Sequence, residues 1–275
     1  MLNRILLGIG GTPFSAVAIE QAVELASVHG ARLTAVTVVD PNNICKLGPV
    51  PPGAGLYAKR MCENRIEVTK DQISETVAAF ETSCRQSGVK YHVEWETGNP
   101  FELMIDHARY HDLTICGLRS IFDYQLVEQP EKDLIRLLSQ GVRPILAVSS
   151  QVRPVNRVMV AYSGSMESAK AMRHYIHLKP WPEVSLHIVH FKEGSEREPF
   201  LLKDAADFCQ AHGFEVQTDL VDGTARQGLL EFAREKDADL IVMGNSVHTT
   251  LARHLLGDTV LETIKSADRP LFLSQ

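Results

Sequence analysis

Asp239-Leu-Ile-Val-Met-Gly244 repeats the pattern of Asp112-Leu-Thr-Ile-Cys-Gly117. The segments that precede them are also paired, since Ala31-Arg-Leu-Thr-Ala-Val-Thr-Val-Val39 returns as Val184-Ser-Leu-His-Ile-Val-His-Phe191. Repetition of several segments in the same order is typical of a duplicated structural unit. The sequence therefore predicts two copies of one fold.

The length of the chain agrees with a duplication. At 275 residues it suits two domains of ordinary size, each able to bury its own core. A proline follows the last apolar run of the first copy within Gln151-Val-Arg-Pro154, and the apolar pattern restarts at Val158. We therefore predict domains at residues 1–151 and 152–275, with a short linker between them.

The apolar runs predict the fold class. Runs such as Leu33–Val39 and Leu240–Met243 are mostly apolar at consecutive positions, which indicates burial on both faces of a strand. Longer helical patterns lie between the runs, and this alternation favours parallel strands with right-handed crossovers. We predict an α/β fold with two doubly wound, mostly parallel five-stranded sheets packed as a pseudo-dimer.

The first copy is longer because a segment rich in proline and glycine is inserted at residues 41–55. A helix is predicted after it, from Tyr57 to Gln86, because good helix formers dominate there. Its counterpart in the second copy is a short helix at Phe200–Ala211.

Composition excludes several classes of function. The net charge of −6 and the lack of a Lys/Arg cluster argue against a nucleic-acid partner. Five cysteines without a close CxxC pair predict neither a disulfide framework nor a zinc ribbon, and favour a reducing compartment.

His107 and His111 lack a third ligand, so no metal site is predicted. The first apolar run is too short for a secretion signal or a membrane span, and the expected location is cytoplasmic.

In an open parallel sheet, ligands bind where strand order reverses, outside the carboxyl ends of the strands. In the second copy these ends read Ala161-Tyr-Ser-Gly-Ser-Met-Glu-Ser168 and Met243-Gly-Asn-Ser-Val-His-Thr-Thr250. Glycine lets the backbone approach a ligand, and a helix N-terminus offers N–H groups to phosphate. A nucleotide site is one interpretation, and an ordinary turn after each strand is the other.

Both halves of the chain resemble the universal stress protein family. The resemblance rests on Ile5-Leu-Leu-Gly-Ile-Gly-Gly-Thr12, on Val158-Met-Val-Ala-Tyr-Ser-Gly-Ser165 and on the stretch that ends at Gly244. It implies a strand order of 3-2-1-4-5 in each half. In some members it also implies ATP binding through a Gly-x2-Gly-x9-Gly-Ser/Thr motif.

That motif is altered in the second copy. Gly244 and Gly257 stand at its first and third glycines, whereas Val247 replaces the middle glycine and Asp258 replaces the Ser/Thr. The aspartate that reads adenine falls on Ser163. The resemblance implies ATP or another adenine nucleotide with Mg²⁺, and an empty pocket is the alternative. The implied nucleotide-binding residues are Ala161, Tyr162, Ser163, Phe191, Met243, Gly244, Ser246, Val247, Gly257, Asp258 and Thr259.

The first copy departs further from the motif. Gly117 is retained, but Ser120 stands at the middle glycine, Pro130 at the third and Gly10 at the aspartate. We therefore predict that the first copy has lost the site.

Two departures in the second copy oppose nucleotide binding. A carboxylate at position 258, about 4 Å from a phosphate oxygen, would cost roughly 4 kcal/mol at an effective dielectric near 20. Arg253, His254 or a bound Mg²⁺ would relieve this repulsion. Val247 is β-branched and resists the positive φ that a glycine there would allow. The alternative is that Asp258 is only a helix N-cap.

Three functions are compatible with these observations. The leading one is a non-catalytic stress-response or regulatory protein with a nucleotide site in its second half. The second is an ATP-cleaving enzyme, because the Ser163–Ser168 turn resembles the Ser-Gly-Gly-x-Asp-Ser loop of ATP pyrophosphatases. The third is an interaction scaffold that binds no nucleotide and uses the insertion at residues 41–55. Dimerisation beyond the internal pseudo-dimer is left open.

Overall fold

The computed structural model describes residues 1–46, 53–119, 121–122, 131–142, 144–192, 198–244 and 258–274. The elements of the first half are β1 (Arg4–Gly8), α1 (Ser15–His29), β2 (Arg32–Val39), α2 (Pro41–Ile44), α3 (Gly55–Gln86), β3 (Tyr91–Thr97), α4 (Pro100–Ala108), β4 (Leu113–Gly117), α5 (Glu131–Ser139) and β5 (Ile145–Val148). Those of the second half are β6 (Arg157–Ala161), α6 (Met166–Leu178), β7 (Ser185–Lys192), α7 (Glu198–Ala211), β8 (Glu215–Asp222), α8 (Ala225–Glu235), β9 (Leu240–Gly244), α9 (Asp258–Ser266) and β10 (Leu271–Ser274).

The strands form the order that the sequence predicts. The order is β3-β2-β1-β4-β5 in the first half and β8-β7-β6-β9-β10 in the second, which is 3-2-1-4-5 in both. Every neighbouring pair within a half is parallel. The α/β fold class and the doubly wound order are confirmed.

The halves meet through one antiparallel pair of strands. β5 pairs with β10, so that Phe272 lies opposite Leu146. Both strands are buried throughout. Their pairing satisfies the backbone N–H and C=O groups that each strand would otherwise leave unpaired at the edge of its sheet. The two predicted sheets are thus joined edge to edge into one ten-stranded sheet, which is the form that the pseudo-dimer takes.

Each face of this sheet carries an apolar core that crosses from one half to the other. On one face, α1, α3, α6 and α7 pack on alternate strand residues such as Ile5 and Val158. On the other face, α4, α5, α8 and α9 pack on the residues between them, such as Leu6 and Met159. At the junction, the Tyr175 ring contacts the Phe272 ring edge-on at 5.3 Å. No helix in the described ranges is long and apolar enough to cross a membrane.

The insertion of the first half is only partly described. Its described part holds the short helix α2, which the sequence does not predict, and the start of α3. Residues 47–52 of the insertion lie outside the described residues. The predicted helices at 57–86 and 200–211 are present as α3 and α7. The boundary between residues 151 and 152 stays a prediction, and it lies in the connection between β5 and β6.

Two cysteines form a pair that the sequence does not indicate. Their number and spacing predict no disulfide framework, and the structure joins Cys45 to Cys62, with their Cα atoms 4.9 Å apart. The two residues are separated by 17 positions and are brought together by the packing of α2 against α3. No short spacing motif signals such a pair. The other cysteines, Cys84, Cys116 and Cys209, are buried thiols.

The repeated aspartate of the opening stretch holds the start of the first strand in each half. The Asp112 carboxylate accepts hydrogen bonds from the backbone N–H groups of Asn3 and Arg4, at 2.7 and 2.9 Å. In the second half, Asp239 accepts from the corresponding N–H groups of Asn156 and Arg157, at 3.0 and 2.9 Å. The aspartate is repeated because it ties the fourth strand to the first, where an unpaired donor would otherwise remain.

We expect Asp239→Ala to lower the free energy of unfolding by about 1–2 kcal/mol, because two charge-assisted hydrogen bonds in a partly exposed setting are lost. Urea denaturation of the whole chain measures this change. Asp222→Ala is the matched control, because its carboxylate is largely exposed and pairs with Lys192 at the surface. It should cost less than about 0.5 kcal/mol. Equal losses in the two variants would contradict the structural role of Asp239.

Candidate functional site

A cavity of about 830 Å³ opens at the carboxyl ends of β6 and β9 in the second half. This is the position where strand order reverses, with β7 on one side of β6 and β9 on the other. The volume lies within the range of about 300–1,000 Å³ that is usual for small-molecule sites. The lining residues are Ala161, Tyr162, Ser163, Ser165, Ser168, Val189, His190, Phe191, Leu201, Thr224, Ala225, Arg226, Gln227, Met243, Gly244, Thr259 and Val260.

A serine cluster forms the floor of the cavity where α6 begins. Gly164 has φ +75°, a conformation that glycine adopts without strain, and it turns the chain from β6 into the helix. Ser165 is the N-cap, and its hydroxyl accepts a hydrogen bond from the N–H of Ser168 at 3.2 Å. The hydroxyl oxygen of Ser163 lies 3.0 Å from that of Ser165 and 3.3 Å from that of Ser168, and its single proton is donated to one of them. The cavity therefore has a polar wall at a helix N-terminus.

Gly244 ends β9 in close contact with α6. A Cβ atom at this position would overlap the carbonyl group of Glu167 and would lie 2.7 Å from the N–H nitrogen of Ser168. Packing between β9 and the first turn of α6 therefore requires glycine here. This requirement exists whether or not a ligand approaches the backbone.

The turn after β8 supplies a wall that the sequence did not assign to the site. Thr224, Arg226 and Gln227 line the cavity from the start of α8. Arg226 Nη1 lies 3.6 Å from Asp258 Oδ2, and both side chains are more than half exposed. Solvent screens an exposed pair of this kind, so it contributes little to stability. The pair does place the positive charge of Arg226 beside the carboxylate of Asp258, which alone would repel a phosphate.

The imidazole of His190 and the phenol of Tyr162 line the cavity. His190 is buried, and its Nδ1 lies 2.8 Å from the carbonyl oxygen of Tyr162. Burial, followed by the nearby carboxylate of Asp204, raises the pKa of the Tyr162 hydroxyl. Tyr162 therefore stays neutral at physiological pH and offers an aromatic surface with a protonated hydroxyl.

Most of the predicted site residues come together in this cavity. Ala161, Tyr162, Ser163, Phe191, Met243, Gly244 and Thr259 line it. Asp258 begins α9 with an exposed carboxylate and is not among the lining residues. Ser246, Val247 and Gly257 lie outside the described residues, as do Arg253 and His254.

Several lining residues were missed by sequence reasoning. The turn at residues 221–226 belongs to the repeat but follows the third strand, whereas the sequence predicts ligand sites after the first and fourth strands. The structure nevertheless places Thr224 and Arg226 at the cavity wall. Ser165 and Ser168 belong to the turn after β6, where the N-cap pattern Ser-x-x-Ser indicates the start of a helix.

The serine turn does not have the surroundings of an activated nucleophile. In the part of the chain that the structure describes, the hydrogen bonds of Ser163 Oγ go to two serine hydroxyls and to the N–H of Ser165. A nucleophilic serine needs a general base, usually histidine, within hydrogen-bond reach. Within the described residues, no such base is hydrogen-bonded to Ser163. Within the described ranges, no cluster of three potential metal ligands occurs.

The equivalent crevice in the first half is filled by the chain itself. Ile121 and Phe122, just after β4, are 1% exposed and pack against the end of β1. A Cβ at Gly10 would lie 2.6 Å from Phe122 Cα, so no side chain fits at this position. From the other side, α3 packs over Gly11, where an added Cβ would lie 3.5 Å from Gln72 Cβ. Gly10 therefore stands at the position of the family's aspartate because Phe122 occupies the space above it.

We expect Gly10→Ala to lower the free energy of unfolding by about 1–3 kcal/mol, because its methyl group would overlap the Phe122 backbone. Gly55→Ala is the matched control, since nothing lies within 4 Å of the added methyl at the start of α3. That control should be neutral or slightly stabilising. Denaturant unfolding measures both variants. An unchanged stability of Gly10→Ala would show that the first crevice is open.

Comparison with known proteins agrees with the fold and with the duplication. The model of the universal stress protein family matches residues 1–120 and 192–274. A universal stress protein from Synechocystis is 20% identical over 284 residues, which cover 98% of this chain and 99% of the relative. A second universal stress protein, from Methanocaldococcus jannaschii, is 35% identical over 82 residues, 30% of this chain and 46% of its own length.

Two solved structures share the fold over nearly the whole chain. A universal stress protein from Archaeoglobus fulgidus superimposes with a TM-score of 0.69 at 19% identity, over 98% of this chain and 95% of that one. A functionally unknown protein from Pseudomonas aeruginosa gives a TM-score of 0.66 at 16% identity, over 99% and 92%. These identities establish a shared fold. Because the family model covers most of the sequence in both halves, the chain belongs to the universal stress protein family.

Proposed function

We propose that this stress-response protein acts as a non-catalytic regulator that binds an adenine nucleotide in the cavity of its second half. The observation that carries the proposal is the contrast between two equivalent crevices. The one at β6 and β9 is an open cavity with polar walls, whereas the one at β1 and β4 is filled by Ile121 and Phe122. A duplicated fold that retains an open crevice in one copy is consistent with a single ligand site.

The chemistry of the walls suits a nucleotide. Tyr162 and Phe191 give apolar surface for a base, and Ser163 stands where the family's adenine-reading residue falls. The serine hydroxyls and the N-terminus of α6 supply donors for ribose or phosphate oxygens. Thr259, in the first turn of α9, adds a hydroxyl on the opposite wall.

Arg226 changes the expected effect of Asp258. An isolated carboxylate would repel phosphate, but the guanidinium 3.6 Å away offsets much of its charge. Both groups are also screened, because they are more than half exposed. We infer that nucleotide phosphates lie on the side of the cavity where Arg226 stands, with Mg²⁺ as a further source of positive charge.

Titration calorimetry of the purified chain with ATP and Mg²⁺ tests the proposal. We expect saturable heat in the micromolar to millimolar range of ligand, with one site per chain. Ser163→Trp should abolish that heat in a chain that still unfolds cooperatively, because Ser163 is exposed at the cavity wall and an indole would occupy the cavity. Absence of heat with the wild-type protein at millimolar ATP would refute nucleotide binding and leave the fold assignment unaffected.

A charge series at the mouth of the cavity tests where the phosphates lie. We expect Arg226→Ala to weaken ATP binding by about fivefold and Asp258→Asn to strengthen it by about fivefold, which corresponds to roughly 1 kcal/mol for a screened charge near 4 Å. Arg234→Ala is the matched control, because this arginine lies on the same helix but pairs with Asp268. Equal affinities of the Arg226 and Arg234 variants would show that the phosphates lie elsewhere.

A further inference from the structure

The first half of α3 differs from its second half in how it contacts the protein. From Ile73 onward, Ile73, Val77, Phe80 and Cys84 recur at helical spacing and are buried in the core. Phe80 also contacts the Tyr91 ring edge-on at 5.5 Å. Residues 55–68, all of which the structure describes, include no buried residue. The first turns of α3 therefore have little apolar packing to hold them.

The Cys45–Cys62 disulfide lies in this weakly packed part of α3. Cys62 is in the second turn of the helix, and Ile66 is the neighbouring side chain that reaches the core. The ion pair of Lys59 with Glu63 joins two residues of the same helix, at 3.8 Å and with both side chains exposed. Neither contact approaches the constraint that a covalent bond imposes on residues 55–68.

The other end of the disulfide is firmly anchored. Cys45 directly follows Ile44, which is 2% exposed, at the end of α2. Asp40 caps this short helix and is itself buried, with its carboxylate accepting from the N–H of Asn43 at 3.1 Å. The disulfide thus joins the end of α2, beside the buried Ile44, to a helix segment that has no buried residue.

We propose that Cys45 and Cys62 form a reversible thiol–disulfide site, which holds residues 55–68 on the protein when oxidised and releases them when reduced. A dithiol reductant is the reacting partner. Its thiolate attacks one sulfur of the bond, a mixed disulfide forms, and the second thiol of the reductant closes its own disulfide. Two electrons and two protons pass to the protein, which leaves free thiols on Cys45 and Cys62.

The remaining cysteines differ from this pair in a way that supports the assignment. Cys45 and Cys62 are both partly exposed, as attack by a reductant requires. Burial, together with the charge of Glu81, raises the pKa of the Cys84 thiol to about 11, and burial raises that of Cys209 to about 12. Such thiols are protonated and inaccessible at neutral pH, and they are unreactive. The chain therefore has buried cysteines for packing and one accessible pair for exchange.

Cys62 lies on α3, the same helix that covers the crevice of the first half. The same helix continues from the tethered segment to Gln72, which lies over Gly11. Release of residues 55–68 removes the covalent support for the start of the helix that covers this crevice. In a reducing compartment, disulfides are mostly transient or redox-sensing, and a redox signal suits a family associated with stress.

Hydrogen exchange of the full chain, with and without dithiothreitol, tests the proposal. We expect amides of residues 55–68 to exchange on the order of tenfold faster after reduction, whereas those of residues 73–84 stay unchanged. Oxidised glutathione should restore the slow exchange. Alkylation of the unfolded chain should label three cysteines before reduction and five after it, as the disulfide assignment requires.

The double variant Cys45→Ser, Cys62→Ser separates the covalent bond from other effects of the reductant. It should exchange rapidly at residues 55–68 in both conditions and should not respond to dithiothreitol. Equal exchange of the oxidised and reduced wild type at these residues would overturn the proposal. Labelling of five cysteines without reductant, after exposure to oxidised glutathione, would overturn it as well.

Discussion

The antiparallel pairing of β5 with β10 is the constraint on which the rest of the structure depends. Each half alone would leave a buried, apolar strand at the edge of its sheet, with unpaired N–H and C=O groups. Pairing the two edges satisfies these groups and makes one sheet of ten strands. The apolar layers on both faces then run across the junction, so the halves share their cores. The two crevices consequently lie along one continuous sheet.

Duplication supplied two equivalent crevices, and local packing decided which one stayed open. In both halves the first strand ends in small residues, and an aspartate ties the start of the fourth strand to the start of the first. The difference lies in the residues that line each crevice. After β4, Ile121 and Phe122 turn into the crevice and bury their side chains there, which is favourable for any apolar group that can reach such a space. The second half keeps serines and Arg226 around an open volume.

Local packing also divides the long helix α3 that follows the insertion of the first half. The long helix of the first half passes over the crevice that Phe122 fills, and its second half is held by ordinary apolar packing. Its first half has no comparable apolar face, since residues 55–68 are polar or exposed along most of their length. The disulfide supplies the restraint that packing does not. The redox regulation that we propose thus acts on the first half, and the nucleotide that we propose binds the second.

The sequence by itself determined the α/β class, the strands and the helices other than α2, because apolar runs, helical periodicity and repeated motifs are local signals. The strand order 3-2-1-4-5 came from the resemblance to the family, and the rule for open parallel sheets then pointed to a candidate site after β6 and β9. Only the tertiary structure decided that β5 meets β10, that Phe122 fills the crevice above Gly10, that Arg226 stands beside Asp258, and that Cys45 reaches Cys62. Each of these contacts joins residues far apart in the chain. Such proximity arises when elements pack, and no local pattern of residues carries it.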